Sequence, residues 1–362
     1  MSSPNLSNRL SEAWNYKAPV LVSVPYFFAI IGSLDVFQTF VAMVASYCTI
    51  AGIAAFGYFI NDLSDVKQDS DAGKPNFIAK LSTGQRVGLM VVILMLALLP
   101  WWYLPLTFLT ATCLFIQFLL FLVYSLPPFR LKERGLFGIF TDAAYAHANP
   151  ALLAALTFSV IIKMPVSEIA GYLVCLFCWQ MFWGIRNILN HQLEDLDNDR
   201  AAGVKTWVQS FPTGKIERLI SRYLIPLELV TFSLFVLSHT VQTIFLSELV
   251  LFPIFALVQF IALYLAGQLP IGFLNRTTLL TTRLYLVWLP LTLLLIGVFH
   301  LTSNLWLIVL HYLLFPKMKG LTISPFIFIA GYIYNEVRLP RYTLNEMVSE
   351  FKLKIRQARK QK

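Results

Sequence analysis

The chain is expected to be an all-α polytopic membrane protein. The expected fold is a bundle of about nine transmembrane helices, followed by a C-terminal extension. Three observations point there. Hydrophobic residues make up 57% of the 362 residues and charged residues only 13%, against about 25% charged in a soluble domain. The apolar residues fall in successive runs close to the roughly 20 that a helix needs to cross a hydrocarbon core. If those runs alternate in direction, nearly all the basic residues fall on one side. So little charge excludes a soluble enzyme, a secreted disulfide scaffold and a disordered tail protein. The 30 Phe, 15 Tyr and 8 Trp suit lipid-facing and interfacial positions.

The first span is read over residues 18–33, ending before Asp35, and the second over 36–60, stopping at Asn61. The third covers 86–103, and the fourth 105–126, closed by Pro127-Pro128. The fifth to ninth cover 136–162, 168–190, 219–238, 243–267 and 283–300. A shorter apolar run, 304–316, follows, and 320–334 then reads as re-entrant or interfacial. This divides the chain into a cytoplasmic segment 1–17, a membrane domain 18–300, further hydrophobic segments 301–342 and a basic cytoplasmic tail 343–362. The polar opening segment gives no expectation of a cleavable signal peptide.

With the N-terminus in the cytoplasm, 304–316 crossing back and 320–334 not crossing, every one of the 28 Lys and Arg residues except Lys163 lies inside. The net charge of +9 therefore marks membrane orientation. No basic run is interleaved with a nucleic-acid motif, so no nucleic-acid partner is expected. Cys48, Cys113, Cys175 and Cys178 all sit in apolar stretches. The Cys175/Cys178 spacing lacks a second Cys or His pair, so these read as buried thiols rather than zinc or redox ligands.

The acidic residues concentrate in two segments. Asp62, Asp65, Asp69 and Asp71 follow the second span; Glu194, Asp195, Asp197 and Asp199 follow the sixth. Both segments then face the cytoplasm, four helices apart. On a helix, Tyr58, Asp62, Asp65 and Asp69 share a face, and Asn187, His191, Asp195 and Asp199 form a stripe continuous with the sixth span. Like charges at that spacing repel, and a divalent ion is the simplest relief. Carboxylate oxygens suit Mg²⁺, which takes one or two carboxylates and completes its shell with water and phosphate oxygens. Acidic clusters in loops are also often plain solvated surface. Two matched D-x-x-x-D spacings, Asp65/Asp69 and Asp195/Asp199, at equivalent helix ends favour a site.

Asn61-Asp62-x-x-Asp65-x-x-x-Asp69 resembles the first motif of the UbiA superfamily of intramembrane prenyltransferases. Asp195-x-x-x-Asp199-Arg200 with the downstream Gly203-Val204-Lys205-Thr206 is similar to its second. Tyr124-Ser125-Leu126-Pro127-Pro128-Phe129-Arg130-Leu131-Lys132 is similar to its basic loop after the fourth helix, and Trp14-Asn15-Tyr16-Lys17 weakly resembles its stretch before the first. The chain departs from the family at Gly73-Lys74-Pro75-Asn76, which lacks the usual Arg, and in the extension beyond residue 300.

The resemblance implies that 18–300 is a prenyltransferase domain, a helical bundle around a central cavity whose cytoplasmic mouth holds Mg²⁺ and a prenyl diphosphate. The expected metal residues are Asn61, Asp62, Asp65, Asp69, Asp195 and Asp199. The expected diphosphate residues are Lys17, Lys74, Tyr124, Arg130, Lys132, Arg200 and Lys205. Asp65, Asp195 and Lys132 are expected to matter most for turnover. His147, Asn187, Asn190 and His191 are placed on the side of a lipophilic acceptor, either histidine serving equally well as a packing residue. Asp142, Tyr145 and Asn149 share a face of the fifth span and form a further intramembrane polar group.

The expected reaction is transfer of a prenyl group to an aromatic, tetrapyrrole or other lipophilic acceptor, through an allylic carbocation. A membrane terpene cyclase would use the same site with no acceptor. An ion-coupled transporter would want carboxylates near the bilayer midplane and inverted halves, whereas these carboxylates lie at the surface and the halves are parallel. The expected location is the cell inner membrane, with both acidic segments cytoplasmic.

Overall fold

A computed structural model of the chain describes residues 14, 15, 17–71, 73, 75–201, 205–239, 247–265 and 280–334. Among these the architecture is all-helical, with no strand. The main helices are α1 (Ala18–Ile31), α2 (Val36–Asp71), α3 (Thr83–Trp102), α4 (Phe108–Ser125), α5 (Leu136–Ile161), α6 (Ala170–Glu194), α7 (Thr213–His239), α8 (Glu248–Leu265) and α9 (Leu280–His300). Two more, α10 (Thr302–Leu314) and α11 (Pro316–Tyr334), form a pair bent by 102°. All but α1 among the first nine are long and apolar enough to cross a bilayer.

α1 is short but central. Thirteen of its 14 residues are buried, from Ala18 to Ile30. A helix apolar on every face wants protein on every face, and α1 packs against α5, α9 and the α10–α11 pair. The lipid-facing surface lies elsewhere, as on α3, where Val87, Val91, Val92, Met95 and Trp102 are exposed.

α2 departs from the expected boundary. It does not stop at Asn61 but runs 36 residues to Asp71. At 1.5 Å per residue that is about 54 Å, far beyond the roughly 30 Å of a hydrocarbon core. The first acidic segment is therefore a helical projection, not a loop. No Gly or Pro interrupts residues 58–71, and Gly73, at φ +64°, follows soon after its end.

α6 departs less. It ends at Glu194, and Asp195 leaves helical geometry with ψ near 3° before a short helix, Leu196–Ala201. The i+4 relation survives the break, because the Asp195 N–H donates to the His191 carbonyl and the Asp199 N–H to the Asp195 carbonyl, at 3.0 and 2.8 Å. Leu196 and Val208 anchor this segment in an apolar cluster with Ile139, Leu189 and Ile220.

α5 and α6 approach closely at Gly184. A Cβ there would lie 2.8 Å from Ala143 Cα and 3.0 Å from the His147 ring. Small residues permit this backbone approach between membrane helices. Near that crossing α5 has a π-helical turn, Ala144–Ala148. There the Gln117 amide donates to the Tyr145 carbonyl at 2.9 Å and Asn149 donates to Gln117 at 2.7 Å. The four cysteines are free thiols, half-buried rather than fully buried.

Candidate active site

The projecting end of α2 makes two sets of polar contacts. Asn61, Ser64, Asp65 and Gln68 turn toward the segment between α4 and α5. The Lys132 ammonium donates to both Asp65 carboxylate oxygens at 2.6 Å and to Asn61 Oδ1 at 3.0 Å. The Arg130 Nη2 donates to Asp65 at 2.8 Å and also to the Gln68 carbonyl oxygen, while its Nε donates to Glu133 at 2.6 Å. Arg130 sits in left-handed backbone geometry, φ +39°, within a turn that opens on a cis Pro127-Pro128 bond.

The electrostatics of that segment follow from the contacts. Burial pushes the Lys132 ammonium below the ordinary lysine value, with Asp65 opposing. For Arg130 burial also pulls downward, but its bonds to Glu133 and Asp65 outweigh it and hold the guanidinium above its usual value. Glu133 is held below the carboxylate range: burial raises it, and Arg130 and Gln68 more than reverse that.

Asn76 Nδ2 donates to the Asp62 backbone carbonyl and to Asp69 Oδ2, both at 2.8 Å. The three aspartates stay within an arc of about 60° around the helix, but their partners differ: Lys132 and Arg130 hold the Asp65 carboxylate, and Asn76 holds that of Asp69. Repulsion within the first motif is already relieved in part by Lys132 and Arg130, fixed cations that the spacing argument had left out.

At the end of α4 and the start of α5, which flank the basic turn, Tyr124 meets the Tyr145 ring edge-on at 5.0 Å, Phe121 lies 4.5 Å from Tyr145, and the Tyr145 hydroxyl donates to Asp142.

The second motif is more open. His191 Nδ1 lies 3.5 Å from Asp195 Oδ2 at an exposed position. Arg200 pairs at 3.7 Å with the fully exposed Asp197. Lys205 is exposed. Lys74 lies outside the described residues. On the inner side Asn187 reaches His147 at 3.5 Å, and His147 packs on Trp183 at 4.6 Å; Asn190 is half-buried. Reasoning from sequence missed Asn76, whose place after Pro75 in a short return segment was its only signal, and Gln68, which lies one turn after Asp65.

A helical membrane bundle with paired acidic helix ends, one clasped by a half-buried basic turn, defines the class. The sequence model of the UbiA prenyltransferase family matches residues 18–269, and the chain belongs to that family. No curated protein sequence matches the chain. Among solved structures it is similar to a UbiA homolog from Archaeoglobus fulgidus bound to DMAPP and Mg²⁺. That pair shares 14% identity at a TM-score of 0.51, over 80% of this chain and 97% of the other. A digeranylgeranylglyceryl phosphate synthase structure shares 14% identity at a TM-score of 0.48, over 82% and 99%. The comparison of folds rests on the first.

Proposed function

We propose that the chain transfers a prenyl group from a prenyl diphosphate to an aromatic, tetrapyrrole or other lipophilic acceptor, with Mg²⁺ as cofactor. The observation that supports this best is the Asp65–Lys132–Arg130 cluster at one of two acidic helix ends. Family membership and the ligands of the Archaeoglobus homolog support it further.

The donor set fits a hard divalent cation. Among the described residues no three His, Cys, Asp or Glu side chains are gathered into a closed ligand cage. That agrees with an ion that takes one or two carboxylates and completes its shell with water and phosphate. One or two side chains from the set Asn61, Asp62, Asp65, Asp69, Asp195 and Asp199 would hold it at each helix end, and when bound it would stabilise the departing pyrophosphate.

The chain's own residues do the rest. Lys132 and Arg130 exchange part of their contact with Asp65 for the diphosphate oxygens, and their charge helps most as the C1–oxygen bond breaks and its electron pair leaves on pyrophosphate. Phe121, Tyr124 and Tyr145, which pack on one another, would offer π faces to the allylic cation. The acceptor forms the new bond to C1 and gives up a proton on the side of His147, Asn187, Asn190 and His191. Residues 18–300 form the catalytic domain, both acidic segments face the cytoplasm, and the membrane is the cell inner membrane.

The test is to incubate membranes containing the protein with labelled prenyl diphosphates and Mg²⁺ and to identify labelled lipids by mass spectrometry. Label joined to an acceptor is expected. A labelled cyclic hydrocarbon would assign a cyclase instead, and no labelled product with any chain length would overturn the reading.

A further inference from the structure

The helices after residue 300 lie beyond the family match, yet they contact the stretch that leads into the site. The Trp14 Nε1–H donates to the Leu314 carbonyl at 3.0 Å. The Trp14 ring stacks on Phe315 at 5.4 Å and meets Tyr47 edge-on at 6.1 Å. Leu314 and Phe315 sit at the 102° bend between α10 and α11. The bend therefore offers Trp14 a ring to stack on and the C=O of Leu314, near the end of α10, where helix carbonyls lack intrahelical partners.

The bend is itself fixed. Phe315 and Met318 are buried in the same core as α1, and His311 accepts or donates a bond to the Tyr26 hydroxyl at 3.1 Å. α1 is thus held by the extension at two places, Tyr26 within it and Trp14 just before it. Three residues after Trp14 comes Lys17, which precedes the first turn of α1. Lys17 is one of the cations expected to meet the diphosphate.

We propose that the α10–α11 pair is a positioning element of the site, acting through Trp14 to hold the stretch that carries Lys17 at the start of α1. The extension then does more than fill a lipid-facing surface. Lys17 carries a long flexible side chain, and Trp14 seated in the bend fixes the backbone that leads into it. The placement rests on contacts within the chain, while its consequence for turnover rests on the proposed prenyl transfer.

The experiment separates the two. Purified protein is treated with a water-soluble acetylating ester, and the rate of modification at Lys17 is followed by peptide mass spectrometry. Trp14→Ala, and Phe315→Leu as a milder variant that keeps the core filled, should each speed Lys17 modification while Lys215 modification stays constant. An unchanged Lys17 rate in Phe315→Leu and in folded Trp14→Ala overturns the proposal. In parallel, kcat/KM is measured for Trp14→Phe, Lys17→Gln and the double variant. Positioning predicts effects that fall short of additive by about threefold or more, as for residues in one network; additive effects overturn it. A wild-type protein with no prenyl transfer but with the Lys17 shift would refute the assigned reaction and leave the positioning intact.

Discussion

The Lys132 ammonium lies 2.6 Å from both oxygens of the Asp65 carboxylate, although 67 residues separate the two in sequence. The contact joins the first acidic motif to the basic turn after α4, and Arg130 makes a second bond to the same carboxylate. A diphosphate entering here would meet positive charge already gathered. A purely topological role for these basic residues would need no such contact.

Lys132→Gln removes the charge and keeps roughly the length. Arg130 still neutralises Asp65, so the melting temperature should change little. The fall in kcat/KM should be about 10- to 100-fold, from roughly 1.4–2.7 kcal/mol of charge-assisted stabilisation lost in the transition state. Steady-state kinetics on matched amounts of reconstituted protein checks this, and an unchanged kcat/KM would return Lys132 to a membrane-orienting role.

Buried in the core, Arg186 and Glu228 form a bidentate pair at 2.6 and 2.9 Å, with both side chains fully inaccessible. Arg186 also bonds Thr281 at 3.3 Å, so α6, α7 and α9 meet there. Glu228→Gln strands a buried charge and should destabilise by about 3–5 kcal/mol. The double change Arg186→Met with Glu228→Leu should recover most of that. Thermal unfolding in detergent distinguishes the two; equal losses in single and double variants would mean the pair is not the source.

At Gly184 a single added methyl meets backbone, because Ala143 Cα would be 2.8 Å away. Gly184→Ala should therefore move α5 off α6 and cost about 1–3 kcal/mol, as overpacking does. Gly171, where a Cβ has nothing within 4 Å, is the control and should tolerate Ala. Matched unfolding curves for the two variants would show that the crossing is not tight.

The charge distribution predicts that both acidic segments lie on the same side of the membrane. Cysteines placed at exposed Ser70 and Ser210 should both react with an impermeant thiol reagent in inside-out vesicles and not in right-side-out ones. Reaction from opposite sides would break the parallel arrangement of the two acidic segments.

Most of the spans were legible because runs of apolar residues admit one solution in a bilayer. The end of α2 was not, because hydropathy reports where a helix leaves the membrane and not where it ends. The absence of Gly or Pro between Tyr58 and Asp71 was the signal to continue it. The site was legible as two motifs and a basic segment, since those residue types are scarce in an apolar chain. Which partner each aspartate takes was not legible. The split between Asp65 on Lys132 and Asp69 on Asn76 depends on how the return segment 75–80 and the turn 126–135 fold back. The π-helical turn at Ala144–Ala148, which carries Tyr145 and His147, leaves no mark in hydrophobic spacing.

The central claim is that the two acidic helix ends bind one prenyl diphosphate through Mg²⁺. Its most direct test is equilibrium binding of a non-reactive prenyl thiodiphosphate to the purified protein, with Mg²⁺ and with EDTA. Wild type is compared with Asp65→Asn and Asp195→Asn. The account predicts binding that needs Mg²⁺ and is lost in both variants while each remains folded. Binding that persists in EDTA, or that survives either substitution unchanged, would contradict it.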